Sequence, residues 1–364
     1  MRRLFPLACL LAVLVPVVAG AEPGPLVAVK PSGIFLGGRP FFPTMVWAAC
    51  PQDVETDLAA GINVFMGTGA CGAEGDLLAA IGGRAYYVPS IRDGSGLLAH
   101  PDVIGYHQQD EPDGWGIAPE RLPFVRNALV FLTLTPHFAQ EQDPLSPPIS
   151  RSIYSRYVVK GNVIGFDLYP LSHFCRHPRI RLGSVYTEQR DLVRIARDKP
   201  TFQWLETGAQ EGTCGADPVN GTLLQTEAWL AIAGGARGLG YFTYGWPAGV
   251  ADSNSASAEV MAAIARVNRQ ISGLSAVLLA PALPQVFSTR RAQIKIGART
   301  VGPTTYLIAV NPFPTPRRWS RVLPGLTSQN VAVVGEDRWV KAVDGQLRDR
   351  FGPFSKHIYA WASA

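Results

Sequence analysis

Two glutamates stand out because each ends an apolar run among aromatic residues. Glu111 lies in the segment Gly-Tyr-His-Gln-Gln-Asp-Glu-Pro-Asp (105–113), and Glu206 lies in Phe-Gln-Trp-Leu-Glu-Thr-Gly (202–208). Two carboxyl groups that face each other across a pocket can cleave a glycosidic bond. One donates a proton to the leaving oxygen, and the other attacks the anomeric carbon or activates water. For either glutamate alone, the alternative is an ion pair with an arginine at a strand end.

The residues before Glu111 strengthen the case for a pocket. If this run is extended, His107, Gln109 and Glu111 lie on the same face, because side chains alternate along a strand. Burying so many polar groups in a sheet core is costly. We therefore expect this face to line a solvated or functional pocket.

The pattern of the chain predicts alternating strands and helices. The predicted strands are short apolar runs at Pro43–Ala48, Ile62–Gly67, Ala85–Ser90, Val103–Gln109, Leu129–Pro136, Val163–Leu168, Thr201–Glu206 and Gly238–Tyr244. Capping or periodic patterns predict helical segments at Asp53–Ala60, Gly75–Ile81, Gly96–His100, Pro119–Asn127, Ile149–Val159, Tyr186–Arg197, Leu223–Ala233 and Ala256–Ile271.

This alternation predicts an α/β fold, a (β/α)8 TIM barrel, which typically takes about 250 residues. A doubly wound open sheet is the alternative. The chemistry of such barrels is carried by the C-terminal ends of the strands. Glu111 follows the fourth predicted strand and Glu206 ends the seventh. We therefore expect both carboxyl groups at the mouth of the barrel.

The chain beyond the eighth helix has a different pattern. Short β-branched segments broken by Gly and Pro predict a small C-terminal antiparallel β-domain of sandwich-like form. They are Val286–Thr289, Ala292–Ala298, Thr305–Val310, Arg318–Val322, Asn330–Val334, Trp339–Ala342 and His357–Trp361. A hairpin is expected at Val27–Pro40, turning at Gly37-Gly38. The predicted organisation is a signal peptide at 1–21, a barrel with its hairpin at 22–275, and the β-domain at 276–364.

These motifs resemble the barrel enzymes of glycoside hydrolase clan A. Those enzymes carry an acid/base glutamate after strand four, often followed by proline, and a nucleophile glutamate after strand seven. The segments Asp110-Glu111-Pro112, Glu206 and Tyr241-Phe-Thr-Tyr-Gly-Trp246 carry the resemblance, with Arg39-Pro-Phe-Phe-Pro-Thr44, Ala59-Ala-Gly-Ile-Asn-Val64 and Leu307-Ile-Ala-Val-Asn311. The resemblance implies that Glu111 is the acid/base and Glu206 the nucleophile. It also implies retention of configuration, which requires carboxyl groups about 5 to 5.5 Å apart.

The chain departs from the clan at Asp110, where the clan usually has an asparagine that contacts the sugar 2-hydroxyl. An aspartate can accept the same hydrogen bond, but it adds negative charge beside Glu111 and so favours the protonated form of that acid. We expect Asp110 to contact the sugar.

Further residues at strand ends are predicted to bind the substrate. Tyr169 resembles the tyrosine that orients the nucleophile in related barrels, and His137 could bind a hydroxyl or tune a carboxylate. For each of these two the alternative is a structural role. His107, on the polar face of the fourth predicted strand, is also predicted to bind the substrate. Aromatic faces suited to the apolar C–H faces of sugars are offered by Trp47, Trp115, Trp204, Tyr244 and Trp246.

The cysteines of the chain after residue 21 are even in number, and an exported protein favours disulfides. Cys50 and Cys71 follow the first two strands, and Cys175 and Cys214 follow strands six and seven. Because adjacent loops lie at the same mouth, we predict the pairs Cys50–Cys71 and Cys175–Cys214.

The first residues read as a secretory signal peptide. Arg2 and Arg3 precede the apolar stretch Leu4–Val18, and Ala19-Gly-Ala21 forms a small-residue cleavage site. The apolar stretch is short for a spanning helix, so we expect a secreted or periplasmic protein with no membrane anchor after cleavage.

Composition narrows the function further. The net charge falls from +5 to +3 without Arg2 and Arg3, and the basic residues are scattered, so no nucleic-acid partner is expected. His107, Asp110 and Asp167 could be combined into a metal site, but no HxH or HExxH spacing supports one, and neither a metal nor a cofactor is expected. The leading hypothesis is a secreted retaining glycoside hydrolase acting on an oligo- or polysaccharide. The alternative is a non-catalytic carbohydrate-binding barrel.

Overall fold

An N-terminal antiparallel sheet precedes the barrel. The computed structural model describes residues 26–69, 71–92, 96–139, 150–176, 180–208, 219–245 and 254–363. The sheet contains β1 (Val27–Lys30), β2 (Gly33–Leu36) and β3 (Arg39–Phe41). Gly37 and Gly38 connect β2 to β3 with φ of 55° and 79°, the left-handed conformations that a two-residue hairpin turn requires. The predicted hairpin is present, with one more strand than predicted. Of the predicted features, the signal peptide, Cys214 and Trp246 lie outside the described residues.

Eight parallel strands form the barrel. They are β4 (Thr44–Ala49), β5 (Val64–Thr68), β6 (Tyr86–Val88), β7 (Gly105–His107), β8 (Leu129–Leu134), β9 (Val163–Asp167), β10 (Thr201–Glu206) and β11 (Leu239–Phe242). They lie in the order β6-β5-β4-β11-β10-β9-β8-β7. The ring is closed by hydrogen bonds of His107, whose N–H donates to Pro89 O over 2.9 Å and whose carbonyl accepts from Ile91 N over 2.9 Å. The predicted (β/α)8 barrel is therefore confirmed.

The fourth barrel strand, β7, is shorter than predicted. It ends at His107, whereas the sequence predicted a strand through Gln109. Glu111 then adopts a left-handed backbone conformation with φ of 43°. The prediction that His107, Gln109 and Glu111 share one face of a strand is wrong for this reason. Glu111 is presented by a turn instead.

In the described ranges, six α-helices lie around the barrel and lead into the second domain. They are α1 (Val54–Ala59), α2 (Glu74–Ile81), α3 (Tyr154–Val158), α4 (Ser184–Ala196), α5 (Gly221–Gly234) and α6 (Ala258–Leu278). Single 3-10 turns, Leu97–Ala99 and Pro119–Arg121, stand where the third and fourth helices were expected. The predicted helix Pro119–Asn127 is wrong because Leu122, which precedes a proline, is extended, with ψ of 133°.

The barrel interior is filled by aromatic rings that two glycines accommodate. Phe202 and Trp204 point inward from β10 and pack with residues of the other strands. A Cβ at Gly165 would lie 2.1 Å from Phe202 Cζ, and one at Gly240 would lie 2.0 Å from Trp204 Cε3. Because β9 and β11 have glycine at these positions, the rings of Phe202 and Trp204 fill the barrel below the mouth.

The C-terminal domain consists of two antiparallel sheets. Its strands are β12 (Lys295–Val301), β13 (Thr304–Val310), β14 (Arg317–Val322), β15 (Asn330–Val333), β16 (Arg338–Lys341), β17 (Gln346–Phe351) and β18 (Lys356–Ala362). Five of them pair in the order β12-β13-β18-β15-β16, and β14 pairs with β17. The predicted antiparallel β-domain is present. The predicted strand Val286–Thr289 is wrong, because Pro284 begins a 3-10 turn that runs to Val286.

Helix α5 joins the two domains. Its side chains are buried on nearly all sides, and Trp229 and Ala233 share an apolar cluster with Ile308 and Val310 of β13. Strand β12 approaches so closely that a Cβ at Gly297 would lie 2.2 Å from Ala233 O. The barrel and the β-domain therefore pack through a continuous apolar contact. Within the described part of the chain, no helix has the length and apolarity to span a membrane.

Candidate active site

Glu111 lies at the barrel mouth, four residues beyond the end of β7. Its carbonyl accepts a hydrogen bond from Trp115 N over 3.1 Å, which closes a tight turn. A φ of 43° is uncommon for a residue with a side chain and is frequent at functional sites. Glu111 is partly exposed, and Trp115 in the same turn is 73% exposed. The turn therefore presents a carboxyl and an indole towards solvent.

The carboxyl of Asp167 meets that of Glu111 across the mouth. Asp167 ends β9, and its carboxyl is hydrogen-bonded to Glu111. Burial raises the pKa of Asp167 well above its usual range, and the nearby charge of Glu111 raises it further. This contact therefore favours the protonated form of Asp167 beside Glu111.

Asp110 adds a third acid to this group. Burial raises its pKa to about 7, with further contributions from the charges of Glu111 and Asp113. Near neutral pH the Asp110 carboxyl is thus divided between its protonated and ionised forms. This differs from the asparagine of the resembling enzymes, which stays neutral at every pH.

Glu206 is fully buried at the end of β10. Its Oε2 accepts from Ser172 N over 2.7 Å and from Ser172 Oγ over 2.6 Å, and its Oε1 accepts from Leu171 N over 2.9 Å. Burial raises the pKa of Glu206, while hydrogen bonds from Glu227, Ser172 and Leu171 act in the opposite direction. The carboxylate thus lies in a cradle of donors supplied by the segment after β9.

Glu227 faces Glu206 from helix α5. It is fully buried, and burial, followed by the charge of Glu206, raises its pKa well above its usual range. The contact between the two carboxyls raises the pKa of Glu227 and lowers that of Glu206. The two predicted catalytic glutamates share one arrangement: each faces a second acid whose pKa is raised.

A buried network anchors the turn that carries Glu111. The carboxylate of Asp113 accepts from Thr135 N over 3.0 Å, from Thr135 Oγ1 over 2.6 Å and from Tyr154 OH over 2.9 Å. Because the Thr135 hydroxyl has one hydrogen and gives it to Asp113, His137 Nδ1, 2.7 Å away, must donate to Thr135 Oγ1. The loop after β8, which carries His137, is thereby tied to the turn that carries Glu111.

Two predicted substrate-binding residues lie on the floor of the mouth. Trp204 is only 3% exposed, and its indole N–H donates to Thr133 Oγ1 over 3.0 Å. The His107 ring is buried, and its Nδ1 lies 2.8 Å from Gln108 O. The half-buried Trp47 lies between them, its ring centroid 4.8 Å from that of His107 and 5.7 Å from that of Trp204. Of the three, Trp47 has the most surface left for a ligand.

Two tyrosines border the mouth on the other side. Tyr169 stacks on Phe242 with ring centroids 6.0 Å apart and an angle of 12°. Burial raises the pKa of its hydroxyl, as do the charges of Asp167, Glu111, Asp110 and Glu206, which lie around it. Tyr244 is half-buried and lies beside the loop that contains Cys71. The structure thus brings Tyr169 among the carboxyls and sets Tyr244 above the second barrel strand.

Disulfides fasten loops at this face of the barrel. Cys50 and Cys71 are joined, as predicted, with their Cα atoms 5.7 Å apart. Cys175 is disulfide-bonded, and its predicted partner Cys214 lies outside the described residues. That pairing stays a prediction. In the ranges that the structure describes, no group of three His, Cys, Asp or Glu side chains could hold a metal ion.

Sequence reasoning missed Asp167 as a partner of Glu111 and Glu227 as a partner of Glu206. A signal for Glu227 exists, because it is the one charged residue in the helix Gly221–Gly234. Asp167 had a weaker signal as the acidic end of an apolar strand. The contributions of Thr135 and Tyr154 carried no sequence signal, since they depend on which loops become neighbours.

Comparison with known proteins extends the fold assignment. No protein-family model matches the chain, and no curated protein matches it. Among solved structures, the alpha-amylase GTA of Geobacillus thermoleovorans, complexed with acarbose, has 9% identity and a TM-score of 0.54, with 88% of this chain and 98% of that chain covered. A noncanonic maltogenic alpha-amylase, AmyB of Thermotoga neapolitana, has 11% identity and a TM-score of 0.52, with 88% and 99% covered. At such identities the likeness is one of fold. The resemblance to barrel glycoside hydrolases is confirmed at that level, and no family among them is resolved.

Proposed function

We propose that this protein hydrolyses glycosidic bonds of an oligo- or polysaccharide. The observation that carries the proposal is the pairing of Glu111 with Asp167 and of Glu206 with Glu227 at the ends of barrel strands. Glycoside hydrolysis needs a proton donor and an ionised carboxylate in one pocket. In each pair, burial raises the pKa of one carboxyl beside a second carboxyl, and this supports a division into a proton donor and an ionised carboxylate.

The roles follow from the surroundings of each glutamate. Glu206, in its cradle of donors, is the proposed nucleophile. Oε2 accepts two hydrogen bonds from Ser172 and Oε1 only one, from Leu171 N, so Oε1 is the oxygen proposed to attack the anomeric carbon. The Glu111–Asp167 pair gives its proton to the leaving oxygen through Glu111. Glu111 then accepts a proton from the water that breaks the glycosyl–enzyme ester, and the product keeps its anomeric configuration.

The substrate is proposed to rest on the aromatic and polar groups around these acids. Trp47, Tyr169 and Tyr244 supply surfaces for sugar rings, with Trp246 as a further predicted contact. Asp110 and His137 are proposed to bind hydroxyl groups. Secretion to the cell exterior or periplasm belongs to the same proposal, and the Cys50–Cys71 disulfide supports it, because such bonds persist in oxidising compartments.

The burial of Glu206 favours a second candidate, a carbohydrate-binding barrel without turnover. Glu206 has no exposed surface, and its two oxygens already accept three hydrogen bonds from Leu171 and Ser172. Catalysis requires that the segment 171–172 move or that substrate displace it. A protein that keeps these bonds would bind sugar without cleaving it.

The two candidates separate in an activity screen. Wild type, Glu111→Gln and Glu120→Gln are assayed against aryl glycosides and polysaccharides, with product release and binding measured in parallel. Glu120 is an exposed surface acid paired with Arg156 and serves as the matched control. Turnover by wild type and the control, reduced at least about a hundredfold in Glu111→Gln, supports hydrolysis. Saturable binding with no turnover on any substrate supports the binding barrel.

A further inference from the structure

A cavity of about 1160 Å³ lies between the barrel and the C-terminal domain, apart from the carboxyl pairs. The barrel contributes Leu171, Gly183 at the start of α4, and Leu223 of α5, and the β-domain contributes Lys295 and Phe313. Ligand pockets in proteins typically measure about 300 to 1,000 Å³. The cavity is therefore large enough for several linked sugar units.

Cationic side chains dominate the polar lining of this cavity. Arg151, Arg181, Arg290, Arg291 and Lys295 border it, against one acid, Glu188. Arg290 pairs with Asp191 and lies 3.8 Å from Glu188, and Arg151 lies 3.9 Å from the same Asp191, so the charges of these two arginines are partly balanced. Arg291 forms no hydrogen bond or ion pair with any other residue that the structure describes, and it is exposed. The lining thus carries an excess of positive charge.

Lys295 places an ammonium group in the cavity wall, although burial lowers its pKa to about 8. The residue is only 4% exposed, and its Nζ donates to Arg290 O over 2.7 Å. A buried ammonium is costly unless it is paired or hydrogen-bonded. No carboxylate among the described residues forms an ion pair with it. An anionic ligand in the cavity would supply that missing charge.

Charge is also divided unequally between the two domains. Residues 276–364 contain 12 Lys and Arg against four Asp and Glu, whereas residues 22–275 contain 19 against 24. The β-domain is therefore strongly basic and the barrel acidic. A cavity between them lets an anionic group contact the basic domain while the rest of the same molecule contacts the barrel residues of the lining.

The remaining walls are apolar. Pro312, Phe313, Pro314 and Phe354 from the β-domain face Leu171 of the barrel. Rings and prolines pack well on the apolar C–H faces of sugars, while arginine matches carboxylates with two parallel hydrogen bonds. A small inorganic anion would use the arginines alone and leave these walls uncovered. The apolar walls and the arginines together suit a ligand made of sugar rings that carry carboxylate groups.

We propose that this cavity binds a carboxylated oligosaccharide, a chain of uronic-acid units. The inference rests on the proposed function for the identity of the ligand as a sugar. Leu171 lines the cavity and its backbone N–H also holds Glu206 Oε1, so a chain bound here touches the segment that covers the nucleophile. The substrate class would then be an acidic polysaccharide.

The test measures binding in a variant of the full chain that lacks the acid/base carboxyl. Glu111→Gln is titrated in a calorimeter with a uronic-acid hexasaccharide and with the same hexasaccharide after reduction of its carboxyls to hydroxymethyl groups. The titration is repeated after adding Arg151→Gln with Arg291→Gln. Arg269→Gln is the matched control, because Arg269 is an exposed arginine on α6 that does not line the cavity.

We expect at least tenfold tighter binding of the acidic chain than of the reduced one. We also expect at least a tenfold loss with the double substitution and no change with the control. Equal affinity for the two hexasaccharides, or insensitivity to the double substitution, would overturn the proposal, as would preferential binding of a mononucleotide or an oligonucleotide tested alongside. Binding is measured without turnover, so the two proposals can fail separately. If wild type hydrolyses neutral glycans but Glu111→Gln does not bind the uronic-acid hexasaccharide, only this inference fails. If the hexasaccharide binds but wild type hydrolyses no glycan, only the proposed function fails.

Discussion

Glu206 and Glu111 each face a second carboxyl whose pKa burial raises well above its usual range. Glu227 faces Glu206 from a helix, and Asp167 faces Glu111 from a strand end. The sequence alone singles out the two glutamates, because they end barrel strands among aromatic residues. Their partners could not be predicted, since the contact depends on how far a helix lies from the sheet and on where a strand ends.

Replacing Glu227 tests whether its proton supports Glu206. Leucine removes the donor, so the ionised form of Glu206 loses a hydrogen bond and its pKa rises further. The acid limb of the kcat/KM profile should then move to higher pH, with a loss of about 1.5 to 3 kcal/mol in transition-state stabilisation. Glutamine keeps an N–H donor, so Glu227→Gln should retain a limb close to that of wild type. A limb that moves equally in both variants would contradict this role.

The strands and helices of the barrel were largely predictable. All eight strands appear where apolar, β-branched runs stand, because a barrel strand is buried on both faces. The helix expected at 119–127 is only a 3-10 turn, because the residue before a proline is extended. Strand β17 was not predicted, because only Leu347 and Phe351 of its six residues are buried. A strand with only two buried side chains shows little alternation of apolar and polar residues, so its sequence does not predict a strand.

Two glycines allow a direct test of how the barrel is filled. Gly240→Ala places a methyl group within 2.0 Å of the Trp204 ring and should lower the free energy of unfolding by about 1 to 3 kcal/mol. Gly273, inside helix α6 with open space around it, is the control. Gly273→Ala should raise stability by about 0.5 to 1 kcal/mol. Denaturant titration measures both, and a Gly240→Ala variant as stable as wild type would contradict the packing described.

Helix α1 carries a buried acid that makes stability depend on pH. Asp57 is 1% exposed, accepts from Asn254 Nδ2 over 3.1 Å, and has its pKa raised to about 7 by burial and then by Asp53. The unfolded chain releases this proton near pH 4. The stabilisation from Asp57 is therefore complete below about pH 4 and is lost as pH rises towards 7.

Asp57→Asn should remove that dependence. Between pH 5 and 7 its free energy of unfolding should fall by about 1 to 3 kcal/mol less than that of wild type. Asp198→Asn removes a carboxyl at an exposed position, and its free energy of unfolding should depend on pH as that of wild type does. The free energies are measured by chemical denaturation at each pH. If the pH dependence is the same for wild type and Asp57→Asn, Asp57 ionises normally and the prediction is wrong.

At the scale of the molecule, the two domains share an apolar cluster through α5. Ile308 of β13 is 1% exposed and belongs to the same cluster as Trp229. Composition predicted a β-domain after the barrel, but not which helix it would cover. Helix α5 is buried both against the barrel and against the β-domain, so its apolar residues are not confined to one face. Its sequence therefore does not indicate that the β-domain covers it.

This shared cluster predicts one unfolding transition for the whole chain. Ile308→Ala should lower stability by about 2 to 4 kcal/mol and shift that single transition to lower temperature. Val301→Ala, at a position that is 39% exposed, should shift it little. Differential scanning calorimetry makes the comparison. Two separate transitions, with only one moved by Ile308→Ala, would contradict the coupling of the domains.

The central claim is that Glu111 and Glu206 divide the work of a retaining hydrolysis. The most direct measurement follows the products of Glu206→Ala and Glu111→Ala by NMR, with an activated aryl glycoside and added azide. The account predicts a glycosyl azide of inverted configuration from Glu206→Ala, since azide takes the place of the nucleophile, and one of retained configuration from Glu111→Ala. Folded variants that give no azide product, beside a wild type that releases sugar of inverted configuration, would contradict it.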